Sequence, residues 1–214
     1  MSDAVLASPA DIALVERLRA GDEAAFMMLV EQHQAPMLRI ARMYVSTQAA
    51  AEEVVSEAWV GILKGLDRFA GRSSLRTWMY RIVANIAKTR GQRDGRTIPF
   101  SSLEGGDDGV DPEWFQSAAE RSPGGWRTHP EDWRGIPEER LEGRETLERI
   151  GRAIDDLPPM QAEVLRLRDV LGWSSEEVRN ALDLSETNQR VLLHRARSRV
   201  RRALHEYLFE EQDR

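Results

Sequence analysis

The sequence predicts an all-α chain of two small helical domains joined by a long irregular linker, with a helix-turn-helix in the C-terminal domain. Three observations lead there. Apolar residues recur at helical spacing at both ends of the chain, and no segment sustains the alternation a strand requires. From about Arg90 to Glu142 the periodicity fails, and GQRDGR, EGGDDGVDPE, RSPGG and RGIPEER supply turn and breaker chemistry instead. From Glu145 order returns, ending in a short capped helix, a tight connection and a long arginine-rich helix. The expected boundaries are a helical domain over 1–96, a linker over 97–144 and a second helical domain over 145–214.

Each element has its own signal. Ser8-Pro9-Ala10-Asp11 combines an N-cap, a proline at the first helical position and an acidic third position, opening a short helix to about Arg19. Gly21-Asp22 restarts a helix whose stripe is Phe26, Leu29, Met37, Ile40, Ala41 and Tyr44, with Pro36 as a bend. Ala51, Val54, Val55, Ala58, Ile62 and Leu66 mark a third helix from Gln48 to Leu66. Ser73 or Ser74 caps a fourth, with Leu75, Met79, Ile82, Val83 and Ile86 on one side. The linker then carries Phe100, Trp114, Phe115, Trp126 and Trp133. A merely flexible tether is poor in aromatics, so this one is expected to dock.

In the second domain Leu147, Ile150, Ile154 and Leu157 form a stripe, and Pro158-Pro159 end that helix while starting the next. Met160, Val164, Leu167 and Leu171 follow, stopped by Gly172. Ser174-Ser175-Glu176-Glu177 is a capping box opening a helix through about Leu182. Asp183-Leu184-Ser185 connects it to a last helix reaching about Phe209.

Composition removes several functions. A chain of 214 residues with no cysteine has no disulfide framework, no thiolate zinc site and no cysteine nucleophile, which suits a reducing cytoplasm. No apolar stretch approaches the ~20 residues of a membrane span, and the N-terminus lacks the basic and apolar regions of a secretory signal. The four histidines, 33, 129, 194 and 205, have no metal-ligand spacing. Asp107, Asp108 and Asp111 among glycines lack the ligand positions and closing Glu of a calcium loop. No phosphate-cradling glycine loop or nucleophile elbow occurs. The expectation is a non-enzymatic protein without metal or cofactor.

The net charge of −6 hides two basic blocks. Residues 68–96 carry eight Arg/Lys against one Asp, and 185–202 carry six Arg against one Glu. Between them, 100–148 hold thirteen acids against five Arg. Local patches set the attraction to phosphate. On the last helix Arg190, His194, Arg197 and Arg201 share a face while Leu193, Ala196, Val200, Ala203 and Leu204 share another, as in a helix that enters the major groove. The segment Phe69 to Arg81 interleaves Phe69, Trp78 and Tyr80 with Arg72, Arg76 and Arg81, the mixture that holds unstacked, single-stranded bases. The bland alternatives are a solvated basic helix, and a core role for Trp78 and Tyr80.

The segment FAGRSSLRTWMYRIVANIAK resembles the promoter −10-reading region of the extracytoplasmic-function (ECF) group of sigma factors in the sigma-70 family. AAAEEVVSEAW, residues 49–59, is similar to that family's core-polymerase-binding helix, and DEAAFMMLVEQH to its first conserved helix. LPPMQAEVLRLRDVLGWSSEEVRNALDLSETNQRVLLHRARSRVRRAL resembles its C-terminal domain. The match spans roughly 21–94 and 145–205, in the family's order.

The resemblance implies a promoter-specificity subunit of RNA polymerase, docked through the clamp helices of the largest subunit and the flap of the second-largest, and held in check by an anti-sigma factor. Glu53, Ser56 and Glu57, with Glu52, Val55 and Trp59, fall on the clamp-binding surface. Phe69, Arg72, Ser73, Ser74, Arg76, Trp78, Tyr80, Arg81, Asn85 and Lys88 fall on the −10 surface, where a flipped base is captured. Asn188, Arg190, Val191, His194, Arg195 and Arg197 fall on the −35 face. Melting would draw on differential affinity for the open strand rather than on ATP. The negative net charge implies weak DNA binding until polymerase orders both domains.

Three departures stand out. Glu53 and Ser56 replace the family's usual Asp and Gln, Gln189 sits where an apolar residue usually packs, and the linker is longer than the usual connector. In the family that connector runs through the polymerase channels, where the linker's acidity would mimic nucleic acid. Two other readings remain: a stand-alone helix-turn-helix regulator that binds duplex DNA without polymerase, and a helical adaptor with no salt-dependent affinity for DNA.

Overall fold

A computed structural model of the chain describes residues 6–94 and 144–210. Among them are eight α-helices and no strand: α1 (Pro9–Arg19), α2 (Glu23–Arg42), α3 (Gln48–Gly65), α4 (Leu75–Arg93), α5 (Arg144–Asp155), α6 (Pro159–Leu165), α7 (Ser175–Leu182) and α8 (Glu186–Glu210). The all-α expectation holds. The linker and its tryptophans lie outside the described residues, save Arg144, which opens α5.

The chain divides into two compact units, Met1–Pro99 with Leu167–Ser185, and Phe100–Arg166 with Glu186–Arg214. In the first, α2, α3 and α4 pack on one another and α7 packs on α4. The caps follow from the sequence. Ser8 and Asp11 form a reciprocal capping box on α1, Asp22 caps α2, Thr47 caps α3, and Ser74 rather than Ser73 caps α4. Met37, Ile40, Ala58, Ile62, Leu75, Met79 and Val83 are fully buried between these helices. Each large apolar side chain so buried stabilises the unit by about 1.5–3 kcal/mol over its exposed state. Pro36 lies inside α2, which continues through it to Arg42. The third helix closes at Gly65, one residue before the expected end, and Leu66–Arg68 form a 3-10 turn.

In the second unit, Ile154, Leu157, Ala162 and Leu165 from α5 and α6 close on Ala196, Val200 and Leu204 of α8. Arg199 donates to Gln161 at 3.1 Å, and Arg166 pairs with Asp155. Two stripe positions expected in the C-terminal domain are corrected, Leu147 in this unit and Leu171 in the first. Leu147 is 58% exposed at the open end of α5, and Leu171 is 46% exposed. The second correction has a local cause: after Leu165 the α-helix gives way to a π-helical turn, Arg166–Val170. Five residues per backbone bond rotate the stripe, so Leu167 stays buried while Leu171 turns outward.

Candidate nucleic-acid interface

The junction between α3 and α4 builds a cavity. After the 3-10 turn, Phe69 is buried and its backbone is held by Arg19 of α1, whose guanidinium donates to the carbonyls of Leu66 at 2.7 Å and Phe69 at 3.2 Å. Trp78 packs its ring at 5.2 Å from that of Phe69 and lies against the end of α3. Only glycine fits beneath it, since a Cβ on Gly65 would come within 2.9 Å of the indole. Around these rings a cavity of about 310 Å³ is lined by Arg68, Phe69, Ala70, Arg72, Ser73, Thr77, Trp78, Arg81 and Asn180. Aromatic walls, three guanidinium groups and short hydroxyls suit a nucleobase with its phosphate.

Further along α4, Tyr80 is only 2% exposed, its hydroxyl 3.0 Å from His33 Nδ1 and its ring stacked on Trp173 at 5.1 Å and 24°. Burial, and secondarily the Arg76 charge, push the His33 pKa down. Arg76 lies over the Trp173 ring at 4.5 Å and donates to Glu177 Oε1 at 2.8 Å. Ser74 Oγ, the α4 cap, donates to the same oxygen at 3.2 Å. Burial alone would raise the Glu177 pKa. The Ser174 backbone N–H and Arg76 outweigh it and hold the carboxyl below its usual value. One turn beyond, Lys88 donates to Asp183 at 2.7 Å, and this lowers the Asp183 pKa. Asp183 ends α7 in the left-handed region at φ 54°.

The remaining expected site residues divide by burial. On α3, Glu52, Glu53, Ser56 and Glu57 are exposed, while Val55 is buried and Trp59 is 8% exposed, donating its indole N–H to Gln34 at 2.8 Å. Glu53 accepts from Arg90 of α4 at 2.6 Å. On α4 and the loop before it, Arg72, Arg81 and Asn85 are exposed, and Ser73, Arg76, Trp78 and Lys88 are half-buried. On α8, Asn188, Arg190, Val191, His194, Arg195 and Arg197 are all half-buried, and Gln189 is buried. Arg190 pairs with Glu186, one turn back. Burial first, then Arg201, Arg195 and Arg197, lower the His194 pKa.

Sequence reasoning missed Arg19, Arg68, Thr77 and Asn180 around the cavity, and Trp173, Glu177 and Asp183, which pack against α4 from α7 and its flanks. The available signals were Glu177 and Asp183 within a basic domain and an aromatic beside Gly172. It also missed Val60 and Leu63, exposed apolar residues that extend the acidic face of α3. Among the described residues no group of His, Asp or Glu could hold a metal ion, and no helix is long and apolar enough to cross a membrane.

Rings and guanidinium groups around a cavity, with a second arginine-studded helix behind a capped turn, define a DNA-binding protein. Comparison with known proteins narrows the class. Residues 29–97 match the model of Sigma-70 region 2 and residues 147–200 that of Sigma-70 region 4. The chain is 31% identical over 190 residues to the ECF RNA polymerase sigma-E factor of Escherichia coli, covering 89% of this chain and 92% of that protein. It is 29% identical over 206 residues to the RNA polymerase sigma-H factor of Pseudomonas aeruginosa, covering 96% and 100%. A solved structure of CnrH in complex with the cytosolic domain of CnrY is similar at 22% identity, covering 92% of this chain and 98% of that one, with a TM-score of 0.48. The chain belongs to the sigma-70 family of RNA polymerase sigma factors, in its extracytoplasmic-function group.

Proposed function

We propose that this sigma factor binds core RNA polymerase through the exposed face of α3, captures a flipped base of the −10 element in the cavity at the start of α4, and reads the −35 element with α8. The domain roles are those expected of 1–96 and 145–214, with 97–144 as connector. On α3 the contact surface is Glu52, Glu53, Ser56 and Glu57, extended by Val60 and Leu63. Val55 and Trp59 act from beneath, by fixing the helix. At the start of α4 and in the loop before it, Phe69 and Trp78 wall the base site, and Arg72, Ser73, Arg76, Arg81, Asn85 and Lys88 serve the strand and its phosphates. On α8 the reading residues are Asn188, Arg190, Val191, His194, Arg195 and Arg197. The protein acts in the cytoplasm, is not itself an enzyme, and is regulated by an anti-sigma partner.

The observation that carries this reading is the cavity of about 310 Å³ between two aromatic rings and three arginines. Unstacking a base costs a few kcal/mol, and such a site offsets that cost only for the open strand, so binding itself drives melting. Run-off transcription with bacterial core polymerase on a pool of upstream regions tests it. Transcripts from discrete starts that need this protein, and that disappear with Trp78→Ala, are the expected result. Duplex binding by the protein alone, without transcripts, would instead establish a stand-alone regulator.

A further inference from the structure

We propose that the segment Trp173–Asp183 is a built-in imitation of single-stranded DNA, seated on the α4 surface that the open promoter strand must occupy. The proposal rests on the reading of α4 as a strand-binding surface. The imitation is chemical. A strand offers flat rings to stack and anions at intervals to pair. Trp173 supplies the ring, stacked on Tyr80 at 24° with the Arg76 guanidinium over its face at 4.5 Å. Glu177 supplies one anion, taking Arg76 at 2.8 Å and the Ser74 hydroxyl at 3.2 Å on a single oxygen. Asp183 supplies a second, on Lys88 at 2.7 Å. Asn180 of the same helix reaches the cavity lining.

These contacts are mutually exclusive with a strand. Glu177 is 5% exposed in its side chain, and Tyr80 is covered by Trp173, so neither the Arg76–Ser74 anion site nor the Tyr80 ring face is open while α7 is seated. The seat is also built rather than incidental. Glu177 Oε2 accepts the Ser174 backbone N–H at 3.0 Å within the α7 capping box, which orients Oε1 toward α4. The carboxylate thus lies at the N-terminal turn of α7, a position that favours an anion, and takes side-chain donors from the start of α4. Displacing α7 exposes the strand site, so the apparent affinity for an open strand is the intrinsic affinity scaled down to the fraction of chains that are open.

The test compares the full-length protein with the double variant Glu177→Gln, Asp183→Asn. Gln retains the capping-box geometry and Asn tolerates the left-handed backbone, so both helix ends keep their local chemistry while losing charge. Fluorescence anisotropy with a labelled single-stranded A/T oligonucleotide is the readout, with circular dichroism to establish equal helix content. The variant is expected to bind roughly tenfold more tightly, as a shift toward the open population requires. Equal affinities, or no binding by either protein, overturn the proposal. If the variant does not fold, amide hydrogen exchange on the unaltered protein decides. Saturating oligonucleotide should speed exchange across Ser175–Leu182, and unchanged exchange means that strand and α7 bind together, which overturns it. Failure here while the protein still initiates transcription leaves the sigma-factor reading standing. Tighter strand binding without initiation would sink that reading and leave the imitation intact.

Discussion

On α4 the cations meet carboxylates far away in the chain, Arg76 with Glu177 at a separation of 101 residues and Lys88 with Asp183 at 95, whereas on α8 Arg190 meets Glu186 four residues back. The first kind of pair exists only because two elements dock, and it reports tertiary structure. The second is a property of one helix, present whenever that helix forms, and it reports almost nothing else. Burial separates them further. Glu177 has lost nearly all contact with water, while Glu186 and Arg190 keep roughly half and two fifths of theirs. Equal basic charge therefore has unequal meaning at the two places.

The sharpest way to break the comparison is Arg76→Ala, which strands Glu177 without its cation. Leaving a buried charged acceptor under-satisfied costs about 1–3 kcal/mol, so the urea midpoint should fall clearly. A midpoint unchanged from the parent protein would mean that α7 is not held on α4.

Acid titration gives a smaller and graded effect. His33 and His194 have lowered pKa values, so the stability they contribute is present above the usual histidine value of 6.5 and declines as pH falls below it. Glu177 is also lowered, so its contribution is full above the usual glutamate value of 4.5 and is lost as pH drops through the lower folded value. Stability measured by urea against pH should show both declines, and Glu177→Gln should shrink only the second, to which Asp183 and Asp22, also lowered, contribute as well. A variant whose acid decline is undiminished would assign it wholly to those other carboxylates.

Arg190→Ala is the smallest perturbation. An exposed pair one turn apart contributes no more than about 0.5 kcal/mol, so stability should barely move. Its expected loss is in transcription from promoters with a −35 element. A large drop in stability would show that α8 depends on that pair.

Much of the fold was legible because helices declare themselves locally. Ser8-Pro9-Ala10-Asp11 read as an N-cap with an acidic third position and Ser174 to Glu177 as a capping box, and both are capping boxes, since each hydrogen bond spans three residues. The position of Leu171 was not legible, because the π-helical turn changes the residue count per turn and no sequence stripe anticipates that. The site was legible as composition and not as geometry. Cations and aromatics from Phe69 to Arg81 pointed to single-stranded bases, but burial of Val55, Trp59 and Tyr80 depends on which neighbours arrive. Trp173 and Glu177 went unnoticed as parts of that surface for the same reason. Their partners lie in another domain of the sequence, and pairing across such a separation leaves no period to read.

Glu177 spends its two carboxylate oxygens on different tasks, one closing the first turn of α7 and the other joining α4. An eight-residue helix has little stability of its own, so the residue that starts it is also the residue that gives it a place to rest. Sequence drift at this position is filtered twice. Aspartate, one methylene shorter, keeps the charge but lacks the span to serve both oxygens' partners, while glutamine keeps the span and gives up the charge. Few replacements satisfy either filter, and among the twenty residues only glutamate passes both.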